Sequence, residues 1–294
     1  MNPFTGLHVA LATPFTSDHE LDLPGFRRLT RHVAEGGADG VVVLGSTGEA
    51  ATILEAERDA LIAACLEEAG AMTVTVGTGH NATRQAAAWT RRAQELGAHA
   101  ALVVTPYYNK PTANGLVAHF DAVTQAAPGL PVVIYNVPGR TGLNLAPATL
   151  TRLWENSSLV AIKESSGNLA QISEMCRTLP TGRSLLSGDD ALALPAIAVG
   201  ASGLISVIGN VLPRETKRMV DLALAGRRAE AITLHQALLP LMDALFLESN
   251  PIPTKAALAL KGLCGDTLRL PLVTASAATR ERLAELIAAG AGVA

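Results

Sequence analysis

The feature that most constrains the fold of this chain is a regular alternation of short, β-branched apolar segments with longer segments of helical periodicity. Eight apolar segments are predicted to be strands: His8–Thr13, Gly40–Gly45, Thr73–Gly77, Ala100–Thr105, Pro131–Asn136, Leu159–Glu164, Ser184–Gly188 and Gly203–Val207. Strands that alternate with helices form βαβ units and a parallel sheet. Eight such units predict a closed (β/α)8 barrel, a TIM barrel of the α/β class, with an open doubly wound sheet as the alternative.

The helical segments carry their own start signals. Apolar residues recur at helical spacing after Asp22 and again after Asn168, two residue types that cap helix N-termini. From about Asn210 the strands stop, and segments 211–225, 228–247, 254–263 and 275–289 all have helical character. We therefore expect a barrel over residues 1–224 and a C-terminal helical extension over residues 225–294 that packs on it.

Composition excludes several classes of protein. The 294 residues carry a formal charge of −3, which argues against a nucleic-acid partner, and a hydrophobic content of 49% argues against disorder. No apolar run reaches the ~18 residues of a membrane span, and no signal peptide is apparent. The three cysteines form no CxxC motif and are expected to be free thiols. These features predict a cytoplasmic protein with no membrane partner.

Polar motifs stand at the ends of the predicted strands, where barrels of this type carry their active sites. They are GSTGE at 45–49, TPYYNKP at 105–111, YNVPGRTG at 135–142, IKESSGN at 162–168 and SGDD at 187–190. The glycines of the first motif allow an anion-binding turn, although no P-loop spacing follows it. A reactive site at this end of the barrel is the expectation.

Lys163 is the candidate nucleophile, because it alone among five lysines interrupts an apolar strand. The other four are expected to be solvated in loops or helices. Burial favours a neutral amine, which is the form that makes a Schiff base. The alternative is an ion pair with Glu164 or Asp189, although alternation along the strand should point Glu164 away from Lys163.

Hydroxyl groups and one arginine accompany this lysine. All three tyrosines, Tyr107, Tyr108 and Tyr135, lie at strand ends, and with the Ser46 and Thr47 hydroxyls they could relay protons. Core packing is the alternative role for each tyrosine taken alone. The Arg140 guanidinium could grip a carboxylate, unless it is a surface arginine.

Metal and nucleotide sites find little support. The seven histidines form no HxH or HxxxH pair, and Gly77-Thr78-Gly79-His80 lacks the third glycine of a dinucleotide fingerprint. Asp189 and Asp190 are more typical of a helix N-cap than of a cation site. We therefore expect neither a metal nor a cofactor.

Taken in this order, and with NPIPTK at 250–255, the motifs resemble the dihydrodipicolinate synthase / N-acetylneuraminate lyase superfamily from about Gly6 to the C-terminus. The resemblance implies a class I lyase that needs no cofactor. Pyruvate would form an imine with Lys163, and the derived enamine would attack L-aspartate 4-semialdehyde. The product would be 4-hydroxy-tetrahydrodipicolinate, an intermediate of lysine biosynthesis.

The resemblance also implies roles for individual residues. Ser46, Tyr108 and Tyr135 would form the catalytic proton relay, with Tyr108 reaching into a neighbouring subunit. A dimer would then be the smallest active unit and a homotetramer the expected assembly. Thr47 would bind the pyruvate carboxylate and Arg140 the semialdehyde carboxylate. Main-chain contacts near the lysine would come from Gly188 and Ile205.

Two departures from the family pattern affect the expected function. Ser46 replaces the usual threonine, and a serine at this position also occurs in the N-acetylneuraminate lyase branch. N-acetylneuraminate lyase or a 2-keto-3-deoxy sugar acid aldolase is therefore the alternative function. Arg140 instead favours the small carboxylated aldehyde as the acceptor. A third hypothesis is a catalytically silent paralogue that senses a 2-oxo acid.

The second departure concerns inhibition by lysine. In inhibited members a glutamate holds the ammonium of lysine and a histidine lies beside it, whereas this chain has Gln85 and Arg58 at the matching positions. Weak or absent inhibition by lysine is the expectation.

Overall fold

The computed structural model describes residues 4–289, and within them eight parallel strands close into a barrel. Each strand pairs with the next along the chain, and the last pairs with the first through Gly6 opposite Gly203. The strands are β1 Gly6–Ala10, β2 Gly40–Val43, β3 Thr73–Gly77, β4 Ala100–Val104, β5 Val132–Asn136, β6 Leu159–Glu164, β7 Ser184–Ser187 and β8 Gly203–Ser206. The (β/α)8 prediction is confirmed, and the open sheet is excluded.

Helices connect the strands and surround the barrel. They are α1 Leu23–Glu35, α2 Glu55–Glu68, α3 Thr83–Glu95, α4 Ala113–Ala126, α5 Pro138–Thr141, α6 Pro147–Leu153, α7 Leu169–Arg177, α8 Ala193–Ala198 and α9 Pro213–Leu224. Two of the sequence signals are confirmed as caps. Asp22 accepts a hydrogen bond from the backbone N–H of Gly25 at 2.8 Å, and Asn168 accepts one from that of Gln171 at 3.1 Å.

Three helices form the predicted C-terminal extension: α10 Arg228–Ala244, α11 Ile252–Leu260 and α12 Ala277–Ala288. Their apolar faces join the main hydrophobic core, in which Leu241 and Ala257 pack in one cluster with Val9 and Phe15. The extension and the outer layer of the barrel therefore share a core. The boundary between residues 224 and 225 stays a prediction, and residues 1–3 and 290–294 lie outside the described part.

Two strands, β1 and β2, end earlier than predicted, because the buried residues that follow them are not in extended conformation. The first strand stops at Ala10 instead of Thr13, although Leu11 and Ala12 are fully buried. The second stops at Val43 because Leu44 has a φ of +60°, a left-handed conformation that breaks the ladder. Hydropathy marks burial, and a buried loop carries the same signal as a strand.

The barrel interior is filled by alternate residues of the strands. A compact buried cluster contains inward-facing side chains from seven of the eight strands, namely Ala10, Val42, Ala100, Leu102, Val133, Tyr135, Ala161, Leu186 and Ile205. Because side chains alternate along a strand, Lys163 shares the inward face with Ala161 two residues earlier. The fold thus places this amine at the C-terminal end of the barrel interior.

The remaining expectations from composition concern cysteines and membrane spans. Cys65, Cys176 and Cys264 are all free thiols, as predicted. Within residues 4–289, no helix is both long and apolar enough to cross a bilayer.

Candidate active site

Lys163 lies on β6 with 5% of its surface exposed. Its register partner on β5 is Tyr135, and the Lys163 Nζ lies 4.4 Å from the centre of that ring. No ion pair to Lys163 occurs in residues 4–289. Glu164 points away, as alternation predicts, and accepts hydrogen bonds from Asn136 Nδ2 at 2.9 Å and from the backbone N–H of Ser166 at 2.7 Å. The amine is therefore buried beside an aromatic ring and is not committed to a carboxylate.

Gly188 lies directly beside the Lys163 side chain, and Ile205 lies in the barrel interior. A Cβ atom at Gly188 would stand 2.8 Å from Lys163 Cε, so only glycine leaves room for the lysine chain. Ile205 is 2% exposed and packs in the interior cluster with Tyr135. Gly188 thus leaves the space that the lysine side chain occupies, and the roles of both residues in binding stay predictions.

The loop after β2 carries Ser46 and Thr47 in a tight turn. The backbone N–H of Gly48 donates to the carbonyl of Gly45 at 3.1 Å, and that of Glu49 donates to the carbonyl of Ser46 at 3.1 Å. Glu49, like Leu44 before the turn, adopts a positive φ, here +53°. Non-glycine residues in this region are strained and gather at functional sites.

Asn250 links two of the predicted substrate-binding residues, and sequence reasoning missed it. Its side-chain Nδ2 donates to Thr47 Oγ1 at 2.9 Å, and its backbone carbonyl accepts a hydrogen bond from Arg140 Nη2 at 2.9 Å. Thr254 fixes the amide by donating to Asn250 Oδ1 at 3.0 Å. The NPIPTK motif was the available signal, but only the fold brings it against Thr47 and Arg140, which lie 203 and 110 positions earlier.

A cavity of about 440 Å³ opens at this end of the barrel. Ser46, Tyr135 and Arg140 line it, and the Arg140 side chain is exposed. Tyr107, one of the three candidate relay tyrosines, also lines it. The wall further includes residues for which sequence analysis assigned no catalytic role, namely Glu49, Arg58, His80, Trp89 and Asn250. The cavity therefore extends well beyond the predicted catalytic group.

Arg58 lies in the cavity wall and is 4% exposed. Its Nη2 donates to the carbonyl of Gly77 at 2.6 Å, and its guanidinium carbon stacks 3.9 Å from the centre of a Trp89 ring. Burial lowers the pKa of Arg58 to about 10, although the carboxylates of Glu55 and Asp59 oppose that shift. Gln85 lies in the first turn of α3, the helix that also carries Trp89.

Tyr108 is not brought to the cavity of its own chain. Its side chain is 89% exposed, and its φ of +71° turns it outward from the loop after β4. The backbone N–H of Tyr108 donates to the carbonyl of Thr141 at 3.3 Å, which ties the loop to α5. A role for this tyrosine in catalysis requires another subunit.

Asp190 acts differently from the expected helix N-cap, since α8 begins only at Ala193. Its carboxylate accepts hydrogen bonds from the Ser206 hydroxyl at 2.6 Å and from the backbone N–H groups of Val207 and Ile208 at 2.9 and 3.0 Å. Burial raises its pKa. This carboxylate fixes the end of β8, and hence the neighbouring Ile205. Residues 4–289 contain no group of three or more His, Cys, Asp or Glu side chains arranged to hold a metal.

The expectation that Lys255 is solvated is wrong. It is 0% exposed, and its Nζ donates to Glu49 Oε1 at 2.7 Å. The same ammonium lies 4.1 Å from the centre of the Phe15 ring, and Glu49 Oε2 accepts from the backbone N–H of Arg269 at 3.1 Å. The fold buries Lys255 by laying α11 across the β2 loop, which local helical periodicity does not reveal.

Comparison with known proteins agrees with this geometry. The sequence model of the Dihydrodipicolinate synthetase family matches residues 3–290. A curated relative from Thermomicrobium roseum, named 4-hydroxy-tetrahydrodipicolinate synthase, is 48% identical over 96% of this chain and 93% of its own length. A solved structure from Cyanidioschyzon merolae with lysine bound is 39% identical, has a TM-score of 0.96, and covers 99% of this chain and 100% of that one. A chloride-inhibited dihydrodipicolinate synthase from Acinetobacter baumannii, complexed with pyruvate, is 38% identical with a TM-score of 0.95, covering 97% and 99% of the two chains. The chain belongs to the dihydrodipicolinate synthetase family.

Proposed function

We propose that this protein is a Schiff-base-forming lyase that condenses pyruvate with L-aspartate 4-semialdehyde to give 4-hydroxy-tetrahydrodipicolinate. The observation that carries the proposal is the buried Lys163 amine, held over the Tyr135 ring at 4.4 Å with no carboxylate partner in the described residues. An amine in this setting can attack a ketone, whereas an ion-paired ammonium cannot. The family membership and the names of the curated relatives support the same reaction and favour an enzyme over a silent sensor of 2-oxo acids.

The chemistry follows from the position of the amine. Lys163 Nζ adds to the keto carbon of pyruvate, and loss of water gives the imine. Loss of a proton from the methyl carbon gives the enamine, whose carbon attacks the aldehyde and forms the new C–C bond. The amino group of the added semialdehyde then attacks the imine carbon and displaces Lys163, which closes the ring.

Each of these steps moves protons, and we assign their transfer to hydroxyl groups. Tyr135 adjoins the Lys163 amine, and Ser46 lines the same cavity as Tyr135. We assign Thr47 to the pyruvate carboxylate and Arg140 to the semialdehyde carboxylate. Asn250 hydrogen-bonds to both residues and so holds them in position relative to each other. Gly188 and Ile205 complete the proposed pyruvate site.

Borohydride reduction in the presence of pyruvate tests the covalent step. The expected result is a stable adduct that peptide mass mapping places on Lys163. Lys255 is the internal control, because it is also buried but is paired with Glu49, and it should stay unmodified. A Lys163→Ala variant should trap no pyruvate. An adduct on another lysine, or none on the native chain, would contradict the mechanism.

The acceptor is tested separately. Ser46 is the one residue that favours N-acetylneuraminate lyase or a 2-keto-3-deoxy sugar acid aldolase, whereas Arg140 at the cavity mouth suits a small carboxylated aldehyde. A coupled assay should show turnover of aspartate semialdehyde with pyruvate and none of sialic acid. Faster turnover of a sugar acid would assign the chain to the other branch while leaving the imine intact.

The outward position of Tyr108 supports an active site shared between subunits. We assign it to the proton relay of a neighbouring chain, which makes a dimer the smallest active unit within a homotetramer. Mixing inactive Lys163→Ala and Tyr108→Phe variants under subunit exchange should restore activity, because one site of each mixed dimer is complete. Full activity of a monomer at high dilution would refute this arrangement. A cytoplasmic location belongs to the same proposal and is supported by the three free thiols.

Regulation by lysine is expected to be weak or absent. The relative from Cyanidioschyzon merolae has lysine bound in its structure, but here a buried arginine, Arg58, stands at one of the matching positions and the neutral Gln85 at another. A fixed guanidinium repels the ammonium of lysine, and an amide supplies no countercharge. Initial rates measured against L-lysine should stay unchanged through the micromolar range, and half-inhibition in that range would contradict the assignment.

A further inference from the structure

Ser165 carries a hydroxyl group close to the proposed nucleophile, and the chemistry assigned above does not use it. Its Oγ is buried and has no hydrogen-bond partner among residues 4–289. Buried polar atoms in folded proteins are almost always hydrogen-bonded, because removing an unpaired hydroxyl from water costs free energy. An unpaired hydroxyl at this position therefore needs an explanation that packing does not supply.

The backbone around Ser165 directs this hydroxyl into the barrel. Although β6 ends at Glu164, its ladder continues for one residue, because the backbone N–H of Ser165 donates to the carbonyl of Asn136 on β5 at 2.9 Å. Side chains alternate along an extended strand, so Ser165 shares the inward face with Lys163. The hydroxyl thus lies on the same inner wall as the amine, one layer nearer the mouth of the barrel.

Gly188, directly after β7, shows how close this hydroxyl lies to the lysine side chain. A Cβ atom at Gly188 would collide with Ser165 Oγ and would also stand 2.8 Å from Lys163 Cε. Ser165 Oγ and the end of the lysine chain therefore border the same small volume beside Gly188. The backbone N–H of Gly188 donates to the carbonyl of Glu164 at 2.8 Å, which holds the end of β7 against this point.

Tyr135 and Ser165 flank the lysine from different sides. Lys163 is paired with Tyr135 on β5, and its Nζ lies 4.4 Å from the centre of that ring. Ser165 Oγ borders the lysine on the side of β7, where Gly188 lies. An oxygen atom that forms next to Nζ therefore has a hydroxyl-bearing side chain on each side. Because Thr47 is assigned to the pyruvate carboxylate, the keto oxygen is the polar group of pyruvate that remains for Ser165.

We propose that Ser165 is a further catalytic residue, whose hydroxyl donates a hydrogen bond to the oxygen of the carbinolamine that Lys163 forms with pyruvate. This inference rests on the proposed function. Addition of Nζ to the keto carbon turns the carbonyl oxygen into an alkoxide, which takes up the proton that the nitrogen releases. The C–O bond then breaks as the C=N bond forms, and the oxygen leaves as water with a proton donated by Tyr135. The imine nitrogen stays protonated, and Ser165 supplies a hydrogen bond but no net proton.

This hydrogen bond accelerates imine formation because it is stronger in the transition state than with the bound ketone. Negative charge develops on the oxygen as Nζ adds, and hydrogen bonds to charged groups are stronger than those to neutral groups. A donor that is already in place and shielded from water contributes most to such a step. Loss of the hydroxyl is expected to slow imine formation about 10-fold or more and to change the affinity for pyruvate little.

Rapid mixing with pyruvate, followed by borohydride quenching at successive times, measures imine formation without an acceptor aldehyde. Mass spectrometry gives the fraction of Lys163 that carries the adduct at each time. Ser165→Ala is expected to lower the rate constant at saturating pyruvate about 10-fold or more, whereas Ser165→Thr keeps a hydroxyl and should retain most of the native rate. The matched control is Ser166→Ala, because Ser166 is the next residue and its Oγ accepts a hydrogen bond from the backbone N–H of Asn168 at 3.2 Å. The control should react at the native rate.

Equilibrium urea unfolding separates a catalytic role of Ser165 from a structural one. Since its Oγ has no partner in the described part of the chain, Ser165→Ala should keep or raise the unfolding midpoint while imine formation slows. The inference is overturned if Ser165→Ala forms the imine at the native rate, if only the half-saturating pyruvate concentration rises, if Ser165→Thr is no faster than Ser165→Ala, or if the rate and the midpoint fall together. Absence of an adduct on Lys163 of the native chain would refute the proposed function as well.

Discussion

Removing Lys255 should destabilise this protein more than the loss of any surface charge. Its ammonium is 0% exposed and 2.7 Å from the carboxylate of Glu49, whose side chain is 1% exposed. Burial lowers the pKa of Lys255, and the carboxylate opposes that shift. Truncating one partner of a fully buried ion pair leaves the other charge stranded, at a cost of about 3–5 kcal/mol. For a chain of this size that corresponds to a fall in Tm of roughly 6–20 °C.

Lys255→Met tests this figure in equilibrium urea unfolding followed by tryptophan fluorescence. The matched control is Lys217→Met, a lysine 21% exposed and paired with Asp221, which should cost about 1 kcal/mol or less. Glu49→Gln combined with Lys255→Met removes both charges and should cost less than the sum of the two single changes. A single-variant cost close to that of the control, or strict additivity in the double variant, would refute the reasoning.

Three further predictions rest on single contacts. Tyr135→Phe should lower kcat by about 10²-fold or more with an unchanged unfolding midpoint, because only the proton-carrying hydroxyl beside Lys163 is lost, and steady-state kinetics would exclude that role if the rate stayed the same. Gly188→Ala should also lower kcat by about 10²-fold, since its Cβ would stand 2.8 Å from Lys163 Cε and displace the amine, and an unperturbed rate of borohydride trapping would disprove the displacement. Burial lowers the pKa of His119 from 6.5 to about 4, so the unfolded chain binds a proton that the folded chain does not between those pH values. Stability should therefore fall by about 3 kcal/mol as pH drops from 6.5 to 4, and His119→Asn should flatten that part of the profile.

Sequence reasoning succeeded where the signal is local. All eight strands lie in the segments that the alternation of apolar and helical segments predicts. The helix caps at Asp22 and Asn168 follow from residue type and spacing. The inward direction of Lys163 follows from its parity with Ala161 on one strand. These inferences need only a few consecutive residues and the periodicity of an extended chain.

The contacts that the sequence did not reveal join residues far apart along the chain. Asn250 meets Thr47 across 203 positions, and Lys255 meets Glu49 across 206. Lys255 sits in a helical segment that gives no sign of which neighbour will cover it. Only the closure of the barrel and the docking of α11 decide that an ammonium expected in water is instead enclosed. Residues that complete a site from a distant segment therefore escape local patterns.

The same long-range contacts determine when the protein becomes complete during synthesis. Translation proceeds from the N-terminus at about 5–20 residues per second, so Glu49 leaves the ribosome many seconds before Lys255. Until α11 emerges, the nascent barrel holds a carboxylate without its cation and a Thr47 without Asn250. Ribosome-bound chains arrested before residue 250 should lack a finished pocket even with every strand already translated. The contacts of Thr47 with Asn250 and of Glu49 with Lys255 can thus form only after all eight strands have been translated.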